Sequence, residues 1–133
     1  MEGKKDLAEL VRNMEPVLNE GDYIFATLPD VSGIDRMDIL CEFKEVEGTT
    51  VVMEKHTADL LKIPYSFVAS WITLKVHSAL DAVGFTAVFS SELAKHGISA
   101  NVIAGFYHDH IFVNRMDSQK AIRVLKNLSI KSK

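Results

Sequence analysis

The sequence is poor in cysteine and contains no segment typical of a membrane span or a secretory leader. Its single cysteine, Cys41, excludes a disulfide within the chain, and nothing requires an oxidising compartment. No apolar run approaches the ~20 residues that a membrane-spanning helix needs. The segment from Met1 to Asp6 is rich in charge and lacks the apolar core of a secretory signal. We therefore expect a cytoplasmic protein with no membrane partner.

The chain also lacks a positive charge excess and the common motifs of nucleotide-binding and hydrolytic enzymes. Its acidic residues (18) outnumber its basic residues (15), so the net charge of −3 gives no sign of a nucleic-acid surface. Neither a phosphate-binding glycine loop nor a G-x-S-x-G nucleophile motif occurs. With 133 residues, 47% of them hydrophobic, the chain suits one compact domain or two small units. We expect no nucleic-acid partner.

Hydrophobic periodicity gives a clear order of elements in the second half of the chain. Alternation over Phe67–Val76 predicts a strand, and the apolar spacing over Ala82–His96 predicts a helix. Two strands are predicted at Ile98–Ala104 and Ile111–Val113, and Asp117 is a candidate cap for a last helix. Strand, helix, strand, strand and helix are five elements of the split β-α-β unit called ferredoxin-like.

The first half predicts a helix, three strands and a short helix. Asp6 is a candidate cap for the first helix, and Tyr23–Leu28 reads as a buried strand. A turn signal between Ile39–Phe43 and Thr50–Met53 predicts a hairpin, and Thr57–Leu61 predicts a helical turn. Two helix-bearing halves of similar size favour two α+β units in tandem, each an antiparallel sheet with helices packed on one face.

Three stretches of the second half, in order, resemble a known family. They are His77–Ala87 (HSALDAVGFTA), His96–Gly105 (HGISANVIAG) and Phe106–Val113 (FYHDHIFV), supported by Gly21–Leu28 and Glu47–Val52. They resemble the ACT-like domain family, found as small bacterial proteins with paired ACT units and in amino-acid sensors and aspartate kinases. The resemblance implies ferredoxin-like ACT units, an incomplete one at residues 1–65 and a second one at residues 66–133.

The resemblance implies regulation by a small ligand, expected to be an amino acid, without catalysis and without a cofactor. In ACT units the ligand lies at an interface between two units. It contacts the loop after the first strand, the start of the first helix and the second strand. The matching positions are His77, Ser78, Leu80, Asp81, Ala82, Val83, Gly84, Phe85, Asn101, Val102 and Ile103. A homodimer or larger homo-oligomer is expected, because exposed sheet edges and small halves favour association.

The chemistry of these positions supports a site and also has structural explanations. Unpaired N–H groups at a helix start near Ala82 would favour an anion such as an amino-acid carboxylate. Asp81 either binds an ammonium group or caps the helix, and Gly84 either admits a ligand or permits close packing. Asn101 either hydrogen-bonds a ligand or faces solvent, and His77 is either a ligand contact or a packed residue.

The segment His108-Asp109-His110 is the feature closest to a metal or catalytic centre. In an extended strand the two histidines point to one face, and two imidazoles can begin a metal site. The other histidines complete no recognised ligand spacing, so no metal is assigned. Two alternative functions remain open: a metal-dependent small enzyme that uses this histidine pair, and a purely structural oligomerisation module.

Overall fold

Two units make up the chain in the computed structural model, which describes Gly3 and residues 6–133. The larger unit contains the described residues up to Asn19 together with Ser70–Lys133, and the smaller unit is Glu20–Ala69. The predicted division into residues 1–65 and 66–133 concerns tandem sequence units, and it stays a prediction. Its start, at residues 1, 2, 4 and 5, lies outside the described residues.

Helices and strands alternate irregularly along the chain. In order, the elements are α1 (Leu7–Asn13), β1 (Glu15–Leu18), β2 (Tyr23–Leu28), a 3-10 helix (Arg36–Asp38), β3 (Cys41–Lys44), β4 (Thr49–Glu54), α2 (Lys55–Leu60), β5 (Val68–Lys75), α3 (Phe85–Lys95), β6 (Ala100–Ala104), β7 (Asp109–Asn114), a second 3-10 helix (Arg115–Asp117) and α4 (Ser118–Lys131). The ferredoxin-like α+β class predicted from the pattern is confirmed.

In the larger unit the strands lie side by side in the order β1, β5, β7, β6. Strand β1 is antiparallel to β5, and β6 is antiparallel to β7. Helices α1, α3 and α4 bury apolar residues against one face of these strands, in a core that includes Leu10, Phe89 and Leu125. In a linear β-α-β-β-α-β unit the last strand follows the second helix. In this unit, by contrast, the strand that pairs with the outer edge of β5 is β1, which comes before all the other strands in the chain.

Strand β1 was not predicted, and its composition explains why. It is four residues long and contains Pro16, which has no backbone N–H to donate. Such a residue is tolerated where a strand pairs on one side only. Helix α1 ends at Asn13 and Met14 is already extended, as expected for residues that approach a proline. The predicted cap of α1 is confirmed, since the Asp6 carboxylate accepts from Glu9 N–H at 3.1 Å.

The start of α3 corrects the predicted helix. The prediction placed the helix at Ala82–His96 with Asp81 as its cap, whereas the helix begins at Phe85 and its cap position is Gly84. Gly84 has φ +94°, a left-handed conformation that favours glycine and interrupts regular helix geometry. Residues 76–84 therefore form a loop rather than part of the helix, and this loop borders the candidate site.

The smaller unit lacks the first helix of a complete ferredoxin-like unit. Strands β2 and β3 both pair antiparallel with β4, and β2 also pairs with Val68 and Ala69 at the start of β5. The connection between β2 and β3, where a helix would be expected, contains only the short 3-10 helix. The core of the smaller unit is built around Ile24, Val51 and Met53. The predicted strand at Tyr23–Leu28 and the hairpin that follows it are confirmed.

Candidate functional site

A small cavity lies beside the loop that joins β5 to α3. It has a volume of about 80 Å³ and is lined by Ser78, Ala79, Leu80, Ala82, Phe85, Thr86, Ala104 and Asp109. A water molecule occupies about 30 Å³ in the liquid, so the cavity has room for two or three waters or a chemical group of similar size. Four of the predicted site residues (Ser78, Leu80, Ala82 and Phe85) therefore meet at one place.

The first turn of α3 borders this cavity through Phe85 and Thr86. The first N–H groups of a helix have no partner within the helix, and the helix dipole gives this end a partial positive charge. Gly84, at the cap position, offers no side-chain oxygen to these groups. The helix start can therefore favour a negatively charged ligand group, as the sequence predicted, although from three residues further along the chain.

Asp109, the first residue of β7, brings a negative charge to the same cavity. Its exposed fraction is 8%, and no described residue hydrogen-bonds its carboxylate. Burial raises the pKa of this carboxyl above its usual value, an effect that the charge of His108 partly offsets. Along β7, Asp109, Ile111 and Val113 are buried at alternate positions, so they share one face. This alternation was the sequence signal for a buried carboxylate, which our sequence analysis did not assign to the site.

The loop also contains predicted site residues that do not line the cavity. Asp81 and Val83 are exposed, and Asp81 lies in a turn rather than at the helix cap. A Cβ atom at Gly84 would lie 3.2 Å from the Leu7 side chain, so this glycine serves loop conformation and packing against α1. The structural explanation offered for Gly84 is thus the one that its surroundings support.

His77 packs against two aromatic residues of the β6–β7 turn. Its ring centroid lies 6.3 Å from that of Phe106 and 5.3 Å from that of Tyr107. The turn itself is closed by a hydrogen bond in which Gly105 N–H donates to the His108 carbonyl at 2.9 Å. The ring contacts of His77 therefore connect the loop after β5 to the β6–β7 turn.

The predicted site residues on β6 lie apart from the cavity lining. Asn101 is exposed, and its amide donates to the Phe112 carbonyl on β7 at 3.4 Å. Val102 packs against the core of the larger unit, and Ile103 is half-buried. Only Ala104, at the end of this strand, lines the cavity. The structure therefore does not bring Asn101–Ile103 together with the loop residues around this space.

In the predicted histidine pair, His108 and His110, the ring of His110 is held by contacts with side chains of β5. Trp71 Nε1 donates to His110 Nδ1 at 3.0 Å, and Thr73 Oγ1 lies 3.2 Å from the same nitrogen. Burial and the nearby His108 lower the pKa of His110, which favours the neutral ring that can accept this bond. Across Gly3 and residues 6–133, no three His, Cys, Asp or Glu side chains form a group that could hold a metal ion. The metal-site alternative gains no support from this geometry.

The ferredoxin-like arrangement of strands and helices places the chain in a class of small α+β proteins. Family comparison identifies the particular family. Models of the ACT domain match residues 2–70 and residues 66–127. The chain belongs to the ACT domain family, and the resemblance stated from the sequence is confirmed.

Solved structures give the same fold. A Vibrio cholerae protein of unknown function, described as a possible transport protein, is 44% identical; the match covers 94% of this chain and 97% of that one, with a TM-score of 0.84. An Agrobacterium tumefaciens protein is 22% identical over 87% and 89% of the two chains, with a TM-score of 0.62. The ligand-free regulatory subunit of aspartate kinase from Thermus thermophilus is 10% identical over 89% and 97%, also with a TM-score of 0.62.

The last two likenesses concern the fold alone, because their identities are low. The comparison with curated proteins returned no match. None of the helices in the described part of the chain has the length and apolar character needed to cross a membrane.

Proposed function

We propose that this chain is a regulatory protein that senses an amino acid and catalyses no reaction. The observation that carries the proposal is the cavity beside α3, bordered by a helix start and by a buried carboxylate. An amino acid at neutral pH carries an ammonium group and a carboxylate. The helix start favours the carboxylate, and the Asp109 carboxylate favours the ammonium group.

Membership of the ACT family supports a ligand-binding regulatory role. The likeness to a regulatory subunit of aspartate kinase agrees with this role at the level of the fold. A cytoplasmic location is part of the same proposal, and the lone cysteine, which allows no disulfide within the chain, agrees with it.

We further propose that the protein acts as a homodimer or larger homo-oligomer. In the larger unit, β6 pairs with β7 and lies at the end of the strand order, so its other edge is available. Its sequence, Ala-Asn-Val-Ile-Ala, has no charged residue and no proline, the features that commonly block pairing at an edge. A second copy at this edge would give Asn101–Ile103 the interface position that the family resemblance implies.

The proposal is tested first by a thermal-shift screen against the twenty amino acids. A ligand at about 100 times its dissociation constant adds about 2.7 kcal/mol to the free energy of unfolding. Ala104→Leu places a larger side chain in the cavity wall and should abolish the shift. Ala94→Leu is the matched control, because Ala94 is an exposed residue of α3 outside the cavity lining, and it should leave the shift intact.

A flat screen at millimolar amino acid would refute the amino-acid proposal. Light scattering coupled to gel filtration tests the assembly, and a mass of 14.8 kDa at micromolar concentration would contradict the proposed oligomer.

A further inference from the structure

The most unusual charge in the larger unit is the carboxylate of Asp109. Carboxylates are rarely buried unless they are paired, since the charged form loses its hydration. Asp109 is 8% exposed and no described side chain or backbone group donates a hydrogen bond to it. Asp109 is therefore a largely buried carboxylate at the wall of a cavity that accepts no hydrogen bond from the described residues, so a partner for it can enter from the cavity.

The lining of the cavity shows what kind of partner would fit. The loop contributes the hydroxyl of Ser78, α3 contributes Thr86, and β6 contributes Ala104. None of these groups is charged, and the titratable neighbour that acts on Asp109 is His108. Among the described lining residues nothing balances this carboxylate, so a ligand can supply the positive charge.

The size of the cavity limits the choice of cation. A volume of about 80 Å³ admits an ammonium nitrogen with one or two attached carbons. A metal ion would need several oxygen ligands, and Asp109 is the only carboxylate among the lining residues. An ammonium group has three N–H donors, which the Asp109 carboxylate and the Ser78 hydroxyl can accept.

We propose that Asp109 binds the ammonium group of the ligand, so that the cavity selects compounds with a free, unsubstituted amine. This inference rests on the proposed function for the position of the ligand. It adds the residue that determines specificity and the chemical group that this residue requires. N-acetylated compounds should not bind, because their amide nitrogen carries no positive charge to pair with Asp109.

The test is a set of ¹H–¹⁵N NMR titrations with the twenty amino acids, ethylammonium chloride and sodium acetate. The proteins compared are the wild type, Asp109→Asn and Asp117→Asn. Asp117 is the matched control, because it lies in the same unit, loses the same charge, lines no part of the cavity and makes no side-chain cap to α4. A charged hydrogen bond corresponds to about a tenfold to hundredfold change in affinity, so Asp109→Asn should weaken binding of the ammonium compounds by that factor.

Acetate serves as the check on the integrity of the cavity. Its affinity should stay the same or rise in Asp109→Asn, because a repelling charge has been removed. An equal loss of acetate and ammonium binding would mean that the substitution has collapsed the cavity, which would overturn a specific role for the charge. The ¹³C shift of the Asp109 carboxyl should also show its pKa falling when an ammonium compound is bound.

The remaining outcomes separate this inference from the proposed function. Amino acids that bind all three proteins equally would overturn the role of Asp109 and leave the sensor proposal standing. Ethylammonium binding that depends on Asp109, with no amino acid binding, would support the role of Asp109 and refute the amino-acid proposal. If no ammonium compound binds to the wild type, both proposals fail.

Discussion

Gly84 sets the geometry of the loop before α3. Its left-handed φ of +94° would be strained for any residue with a Cβ, and that Cβ would also lie 3.2 Å from Leu7 Cδ2. Sequence reasoning recognised the special position of this glycine. It could not tell a glycine needed for its dihedral angle from one that makes room for a ligand, because both readings need the same missing Cβ.

Gly84→Ala should lower the free energy of unfolding by about 1–2 kcal/mol, the cost of a left-handed conformation for a residue with a Cβ. Gly97→Ala provides the matched comparison. Gly97 has φ +74° and its added Cβ would meet nothing within 4 Å, so that variant reports the backbone cost alone. Urea unfolding measures both. A smaller cost for Gly84→Ala than for Gly97→Ala would contradict a role for the Leu7 contact.

Asp109→Asn should stabilise the ligand-free protein at neutral pH. Because burial raises the pKa of Asp109 in the folded state, the unfolded chain releases this proton first as the pH rises. The stability contributed by the protonated form is therefore complete below the ordinary pKa of 3.8 and is lost as the pH rises through the folded pKa. Removing one unpaired buried charge should gain about 1–3 kcal/mol at pH 7.

Thermal unfolding from pH 4 to pH 8 checks this effect. The gain from Asp109→Asn should shrink toward acid pH, whereas Asp117→Asn should show no such trend. A substitution that strengthens the empty protein and weakens ligand binding would mark Asp109 as a residue kept for function. A gain that does not depend on pH would argue against this account of the carboxylate.

At the scale of helices and strands, an element was predicted well where its own residues carry a strong hydrophobic pattern, and poorly where it depends on pairing with a distant strand. Strand β2 was predicted at its observed bounds, because six consecutive strand-forming residues are closed by Pro29. Strand β1 was missed, because four residues that include a proline give no strand signal and the element exists through its pairing with β5. Helix α3 was predicted three residues too early, since the apolar spacing that includes Ala82 and Phe85 continues through the loop.

The pairing of Trp71 on β5 with His110 on β7 should make stability depend on pH in the opposite sense from Asp109. The pKa of His110 is lowered by burial, so its contribution is present above the ordinary value of 6.5 and is lost as the pH falls through the folded pKa. Protonation also removes the acceptor for Trp71 N–H. The loss should be about 1 kcal/mol, the typical value of one hydrogen bond.

Trp71 is the only tryptophan, so its fluorescence reports this step directly. His110→Asn keeps an acceptor in place of Nδ1 and cannot titrate, so its fluorescence should stay constant between pH 5 and pH 8. His96→Asn, at an exposed position, is the matched control and should retain the wild-type transition. A transition that persists in His110→Asn would show that another group is responsible.

At the scale of the whole chain, residues that are distant in sequence belong to the same unit: the described residues up to Asn19 pack with Ser70–Lys133. Four of the residues that the sequence predicted to bind a ligand line one cavity, because they lie close together in the loop before α3 and at its start; that they bind a ligand stays a prediction. Sequence analysis did not place Asp109 or Ala104 in the cavity, because the position of β7 between β5 and β6 in the sheet brings them beside a loop that is distant in sequence. The predicted sequence units stay a prediction; in the fold, Leu10, Val11 and Met14 belong to the core of the larger unit.

This grouping predicts how fragments of the chain should fold. Residues 66–133 alone lack β1 and the apolar face of α1, so they should show no cooperative unfolding transition. Residues 70–133 followed by a flexible linker and residues 6–19 should regain one. Arg12 and Met14 line a common cleft with Ser129 and Lys133, so the new junction starts close to the end of α1. From there the linker must return along the seven residues of α1, a length of about 10 Å.

A linker of about eight glycine and serine residues spans roughly 15 Å, which covers that distance. Circular dichroism during urea unfolding should therefore show a sigmoidal transition for the rearranged chain and a gradual change for residues 66–133. A rearranged chain that carries Leu10→Asp is the control, and it should lose the transition because Leu10 is fully buried in this core. Cooperative unfolding of residues 66–133 without the added segment would show that β1 and α1 are dispensable, and the sequence boundary would then also be the folding boundary.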